Sequence, residues 1–450
     1  MAPIVDTVPT LPGGSLLTGH LQEYRRDPIG LLTRAAAHGD VVRARIGLFD
    51  VMIVTSPALV QEVLVERESE FIKSFGLSLF AKPLLGQGLV TSEHALHRRQ
   101  RKLLAPAFVH KRIAGYAEVV REHGEYGLTR MLARGRVEIG EETMATTLGI
   151  VAKTLFDAEV RDDTSEVASA ITEALESVLG SLTSNIPLPP PIPTPMNLRI
   201  LRAARRLDRI VYRMIAERGG QDRGDMLSLL LRARDEDGVG MSEKQVRDEV
   251  MTAFIAGHET TANALAWALY LLAKNPSARA EVEAELDRVL GGRPARFEDL
   301  PSLPSTLRAL KEAMRLYPPA YVVTRRPLRE LSFGGQRLRK NSMVIVNIYG
   351  IHRRADLFRD PSAFLPARFE DERALPRHAY MPFGAGPRTC IGNHFALMEG
   401  HLLLSSWLSR ARFNLPSPEQ EAGLQPMITL RPRAPLTMLV SARNTGTQSA

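Results

Sequence analysis

Cysteine occurs once in these 450 residues, at position 390, so no intramolecular disulfide can form and a reducing cytoplasm is compatible and expected. The first residues, Met1 to Pro9, offer neither a basic segment nor an apolar run of signal or anchor length, which predicts a protein without a leader or membrane anchor. No Gly/Ser linker and no break in composition divides the chain. It reads as a single domain, residues 1–450, with a core from about Leu11 to Val440 and a frayed tail over residues 444–450. The net charge of +8 has no nucleic-acid recognition motif beside it, and the arginines are scattered, so a solvated surface is expected. Two enzyme signatures are also incomplete. Gly384-Ala-Gly386 lacks the third glycine of a dinucleotide loop, because Thr389 stands there, and His258-Glu259 lacks the second histidine of a zinc protease, because position 262 is alanine.

What is present centres on that cysteine. In Phe383-Gly-Ala-Gly-Pro-Arg-Thr-Cys-Ile-Gly392, three glycines and a proline within ten residues predict a tight loop able to press against a flat ligand. Phe395, Ala396, Leu397, Met398, Leu402, Leu403 and Leu404 then recur at helical spacing, placing Cys390 just before a helix whose positive end favours a thiolate. An isolated cysteine is ordinarily a small buried hydrophobe. Here five residue types fall at fixed positions, Phe-x-x-Gly-x-Arg-x-Cys-x-Gly, and at average usage a chance match in such a chain is below roughly 1 in 10,000. On Phe383, Gly386, Arg388, Cys390 and Gly392 the sequence resembles the cytochrome P450 superfamily, where such a thiolate is the axial ligand of haem iron.

Val41-Val-Arg-Ala-Arg-Ile-Gly47 and Asp50-Val-Met-Ile-Val-Thr55 alternate as paired strands, and a helix is predicted from about Pro57 to Glu66. Phe75 to Gly88 has no clear period and reads as a loop; in the resemblance this stretch roofs the substrate pocket and offers Leu84 as a contact. His97 and Arg101, four apart on one helix face, correspond to residues that hold a haem propionate in the family. On their own they are an ordinary basic helix turn. Helices are predicted over about Ile113 to Ala133 and Thr164 to Leu182, followed by the proline-dense Pro187 to Pro195, a stiff connector between the two lid helices of the resemblance.

The longest predicted helix starts after Ser242, with Gln245 completing a capping box, and ends before Asn275-Pro276. It is apolar on all sides from Met251 to Ala273, yet carries Glu259 at its middle, and burying that carboxyl is costly unless it is used. Ala256-Gly-His-Glu-Thr-Thr261 matches the family's oxygen-activation motif. That resemblance gives Thr260 a hydrogen bond to bound oxygen, Glu259 a proton relay, Ala256 a place over the cofactor and His258 a structural role. Glu312-Ala-Met-Arg315, on a helix from Leu303 to Tyr317, and Arg368 correspond to a buried structural ion cluster; the acidic residue usual before Arg368 is Ala367 here. Strands at Tyr321 to Arg325 and Met343 to Ile348 are expected to present Ala320, Val322 and Val323 to substrate and Arg325, like Arg388, to a propionate. A hairpin at Met427 to Leu430 would bring Ile428 and Thr429 to the pocket.

The resemblance covers nearly the whole chain and implies a mainly α, triangular haem-thiolate fold with a small β-rich lobe. It implies haem b as cofactor and insertion of one atom of O2 into a lipophilic molecule, with a fatty acid favoured over terpenoid, steroid or polyketide. A haem-thiolate isomerase or dehydratase, or a haem-based sensor, is the alternative; neither would use Glu259 and Thr260. The chain has no room for a flavin or iron–sulfur domain. Electrons are therefore expected from a separate ferredoxin or flavodoxin with its NAD(P)H reductase, docking on a monomer through Arg98, Arg99 and Lys102.

Overall fold

The computed structural model describes residues 8–157, 164–184, 188–219, 221–334 and 336–443. Its axis is the helix Glu243–Lys274. The Ser242 side chain accepts from the Gln245 amide at 3.2 Å while the Ser242 amide donates to Gln245 Oε1 at 3.0 Å, so the predicted capping box is formed. Thirty-two residues at about 1.5 Å each span nearly 50 Å. The amino-terminal half packs through Val246, Val250, Met251 and Phe254 into one core cluster. The carboxy-terminal half packs through Leu265, Trp267, Leu269 and Leu272 into another, where Trp267 stacks on Tyr317 with ring centroids 4.0 Å apart. Helices Ile139–Phe156, Pro304–Leu316, Asn393–Arg410 and Pro195–Arg218 pack around this axis.

Among the described residues the largest sheet has five strands, ordered Val41–Ile46, Phe49–Val54, Met343–Val346, Val323–Pro327, Phe71–Lys73. The first pair is an antiparallel hairpin with Arg45 opposite Asp50, turned by Gly47 at φ +60°. At the far edge Lys73 stands opposite Arg325, a register that sets two cations side by side. The strand expected from Tyr321 starts two residues later. That expected to run to Ile348 stops at Val346, because Asn347 caps a short helix, Ile348–Ile351, by accepting from the Gly350 amide at 2.9 Å.

Two further readings are adjusted. The segment Phe75 to Gly88 is not a loop throughout: it holds a wide helical turn, Gly76–Phe80, and a short helix, Lys82–Leu85. Both are too short to show a period, and Phe80, Ala81, Leu84 and Leu85 are buried together. Pro187 lies outside the described residues. From Leu188 to Thr194 the connector has no regular structure and is fastened by Asn197, whose side-chain amide donates to the carbonyls of Leu188, Pro189 and Ile192 at 3.3, 3.0 and 2.8 Å. None of the described helices is long and apolar enough to cross a membrane.

Candidate active site

A cavity of about 640 Å³ lies between the central helix and the loop that carries Cys390. The loop's shape follows from its glycines. Gly384 and Gly386 adopt φ of +74° and +72°, where a side chain is strained, and a Cβ on Gly386 would stand 2.0 Å from the Leu64 carbonyl oxygen. The loop closes through the Cys390 amide donating to the Phe383 carbonyl at 2.9 Å. The helix that follows begins at Asn393. Cys390 is enclosed by protein, yet its sulfur is open to the cavity, so it is at once deep in the molecule and exposed. Burial pushes its thiol pKa up, opposed by the Gly392 amide and the Arg101 guanidinium. A bound cation would have to stabilise the thiolate.

Opposite the cysteine, the central helix presents Glu249, Thr252, Ala253, Ala256, Gly257, Thr260, Thr261 and Ala264, one stripe at helical spacing. Ala256 and Gly257 leave the space open. The Thr260 hydroxyl donates to the Ala256 carbonyl at 2.9 Å, so towards the cavity it offers lone pairs. Ala320, Val322, Val323, Met427 and Ile428 complete the wall, as do Leu77, Phe80 and Leu89.

Two expected pocket contacts, Leu84 and Thr429, are corrected, and Glu259, expected as a proton relay, is not on the cavity wall. Glu259 is 2% exposed and turned away from the cavity. Its Oε1 accepts from Arg431 Nε at 2.8 Å and from the Thr429 hydroxyl. Thr429 is likewise not on the wall, because its hydroxyl is occupied by Glu259 and by the Asn263 amide at 3.1 Å. Leu84 is fully buried in the core of its short helix and does not reach the cavity. His258, whose role was expected to be structural, is buried against the Phe254 carbonyl on the side away from the cavity.

One edge of the cavity is cationic. His97, Arg101, Arg325, Arg388 and Lys73 all line it. Burial first, and then the neighbouring cations, depress His97 to about 3, Lys73 to about 7 and Arg325 to about 10, so near neutral pH His97 is an uncharged ring while the arginines stay charged. Arg388 is largely committed: Nε donates to Glu68 at 2.8 Å, and its terminal nitrogens to Glu93 at 2.5 Å and the Ser92 carbonyl at 2.7 Å. Arg101 donates to the Thr389 carbonyl at 2.8 Å, which ties its helix, His94–Leu104, to the cysteine loop. The sequence reading missed Lys73; a lysine ending the three-residue strand Phe71–Lys73 carries no sign that it is buried.

Behind the loop, Glu312, Arg315 and Arg368 meet. Arg315 binds both Glu312 oxygens at 2.7 and 2.8 Å, both residues have no exposed surface, and Arg368 adds a contact at 3.2 Å. The basic turn expected to receive an electron donor is changed by a neighbouring loop. Arg99 pairs with Asp235 at 2.6 Å and Lys102 with Glu236, so of the three only Arg98 stays exposed and uncommitted. The acids that neutralise the other two lie over 130 residues away in sequence.

A sulfur open to a slot, small residues facing it and a surplus of buried cations at one edge fit a planar, dianionic metalloporphyrin, and haem b meets that description. The family model for Cytochrome P450 matches residues 9–439. Cyclooctatin synthase of Streptomyces melanosporofaciens is 38% identical over 439 residues, covering 96% of this chain and 95% of that protein. Pentalenene oxygenase of Streptomyces avermitilis is 34% identical, covering 93% of each. Cyclooctat-9-en-7-ol 5-monooxygenase of S. melanosporofaciens is 35% identical, covering 90% of this chain and 89% of that one. With that match spanning nearly all of it, the chain belongs to the cytochrome P450 family, haem b monooxygenases that insert one atom of dioxygen into lipophilic small molecules.

Proposed function

We propose that this monooxygenase hydroxylates a cyclic terpenoid, that Cys390 would hold the haem iron as a thiolate, and that Thr260 would be the hydroxyl serving the reaction from across the cavity. The observation carrying the site assignment is the Cys390 sulfur open to the cavity across from the Ala256–Thr260 turn. Bound haem supplies the redox chemistry that, with two electrons and two protons, turns RH and O2 into ROH and water. His97, Arg101 and Arg325 would hold its carboxylates, with Arg388 braced by Glu68 and Glu93, and Phe383 would pack in the same site. The Thr260 lone pairs would accept from a proton donor in the cavity and orient it. Glu259 would relay protons from behind that turn, held by Arg431 and Thr429, and is not a group in contact with substrate.

The terpenoid reading rests on the relatives: pentalenene and cyclooctat-9-en-7-ol, printed in two of their names, are cyclic olefinic skeletons, and it displaces the fatty acid that the motif favoured. Electrons come from a separate acidic ferredoxin or flavodoxin. Exposed cations left for it on the thiolate side are Arg98 and Lys111, the latter three residues after Phe108, whose ring packs against Gly392. The reduced carbonyl complex tests the ligand: its red-shifted Soret band should vanish in Cys390→Ser, and a band that survives refutes the assignment. A spectral-shift screen of cyclic terpenoids against fatty acids tests the substrate; tighter binding of fatty acids throughout would reverse the choice.

A further inference from the structure

Among the described residues, Glu249 is the one carboxyl on the cavity wall. It shares the helix stripe of Ala256 and Thr260, and at ~1.5 Å per residue it lies roughly 10 Å and 16 Å from them along the axis. Its surroundings are rigid. The loop from Gly86 to Val90 lies directly on this turn: a Cβ on Gly86 would meet the Asp248 carboxylate at 2.1 Å, and one on Gly88 the Thr252 hydroxyl at 2.1 Å. The Gln87 amide donates to Asp248 Oδ2 at 2.9 Å and the Leu89 amide to Glu249 Oε2 at 2.9 Å. Lys73 Nζ holds the other side of the same peptide segment, donating to the Leu89 carbonyl at 3.3 Å.

One oxygen of Glu249 is therefore in use and the other is not. Oε1 is buried and has no hydrogen-bond partner among the described residues. Burial pushes the carboxyl to about 8, with the Leu89 amide and Lys73 lowering it and Asp248 raising it, so near neutral pH the group carries a proton. With Oε2 accepting from Leu89, the acid has an O–H to donate on Oε1, and no side chain among the described residues accepts it.

We propose that Glu249 is a specificity-determining residue that donates a hydrogen bond to an oxygen the substrate already carries, on the part of the molecule remote from the carbon to be oxidised. A bare hydrocarbon leaves the buried donor unpaired; an alcohol, ketone or ether of the same skeleton satisfies it. A site built to pair a substrate oxygen rejects the analogue lacking it far more strongly than it rejects a lost methylene. The favoured substrate is thus an oxygenated lipophile. An earlier reaction that installs or retains oxygen, such as a prior oxygenation or a hydrolytic cyclisation, must supply it. The inference rests on this cavity being the substrate site of the proposed function.

The test uses the holoenzyme and matched ligands, cedrol against cedrane and 1-dodecanol against dodecane, with dissociation constants from calorimetry and from haem absorbance. Wild type should bind the alcohol of at least one pair roughly 10-fold to 100-fold more tightly than its hydrocarbon. Glu249→Gln keeps an acceptor for Leu89 and a donor for the ligand, and should retain that preference. Glu249→Met should erase it by weakening the alcohol while leaving the hydrocarbon unchanged. Equal affinity within every pair in wild type overturns the proposal, as does a Glu249→Met loss that is the same for both members, which would mark a purely structural bond to Leu89. Calorimetry reads this without turnover, so the preference stands or falls separately from the terpenoid and monooxygenase assignments.

Discussion

Replacing Arg431 with methionine would strand the Glu259 carboxylate. That carboxylate is 2% exposed, and Arg431 is the cation that contacts it among the described residues, with nitrogens at 2.7 and 2.8 Å from the same oxygen. Removing one partner of a buried pair typically costs ~3–5 kcal/mol. Arg431 keeps 17% side-chain exposure, so water reaches the vacated space and the low end, about 3 kcal/mol, is expected. With ~2.1 cal/mol/K of unfolding entropy per residue, a 450-residue chain should then lose about 3 °C in its unfolding midpoint.

A double-mutant cycle separates charge from shape. Glu259→Gln places a neutral amide against Thr429, so Arg431→Met in that background strands no charge, and the cycle should show a coupling of about 2 kcal/mol. Calorimetry on the four holoproteins measures it. Strictly additive losses, or an Arg431→Met cost within ~0.5 kcal/mol, would refute the argument that Glu259 is held by this ion pair. The same four proteins test the proton relay: Glu259→Gln should slow product formation per electron pair while haem content stays constant.

Three further outcomes are expected. Gly386→Ala, whose Cβ would sit 2.0 Å from a backbone oxygen, should yield haem-poor protein, whereas Gly384→Ala meets no atom within 4 Å, pays only ~1–2 kcal/mol of left-handed strain and should retain haem by absorbance ratio. Glu399 is fully buried without a close hydrogen-bond partner on either oxygen, and burial outweighs the Thr261 hydroxyl to push it to about 8. The native state keeps a proton that the unfolded chain releases from pH 4.5 upward, so Glu399 costs stability as pH rises from about 4.5 to about 8; Glu399→Gln should flatten that part of the stability profile measured by chemical denaturation. Finally, Arg98→Glu with Lys111→Glu should slow reduction by an acidic ferredoxin, most at low salt, while Arg99→Ala, which removes a charge already paired with Asp235, should leave the stopped-flow rate near wild type.

Local chemistry carried most of what the sequence made legible. The central helix was bounded correctly because a capping box opens it and Asn275-Pro276 closes it, and the hairpin at Gly47 because two alternating β-branched runs flank a glycine. The cysteine loop was readable because its glycines sit where the backbone needs them. The segment from Phe75 to Gly88 was not, since its helical turns are shorter than one amphipathic period and are fixed by burial among distant helices. Nor were the partners of Arg99 and Lys102, which come from a loop far along the chain.

Glu259 shows where the boundary falls. The cavity stripe runs through Thr252 and Ala253, Ala256 and Gly257, and Thr260 and Thr261, and at about 100° per residue Glu259 falls outside its edge. Once Ala256, Gly257, Thr260 and Thr261 face the cavity, helical phase turns Glu259 towards the protein interior, on the side of His258 and Ala262. Reading Ala256 to Thr261 as a motif, without its phase, put the pair together. What phase does not supply is the partner: Arg431 lies 172 residues downstream, on the strand Leu430–Pro432, which follows the Met427–Ile428 tip that lines the cavity. The hairpin that lines the cavity therefore also carries the group that holds the acid, so a shift of this hairpin would change the cavity wall and the Glu259 ion pair together.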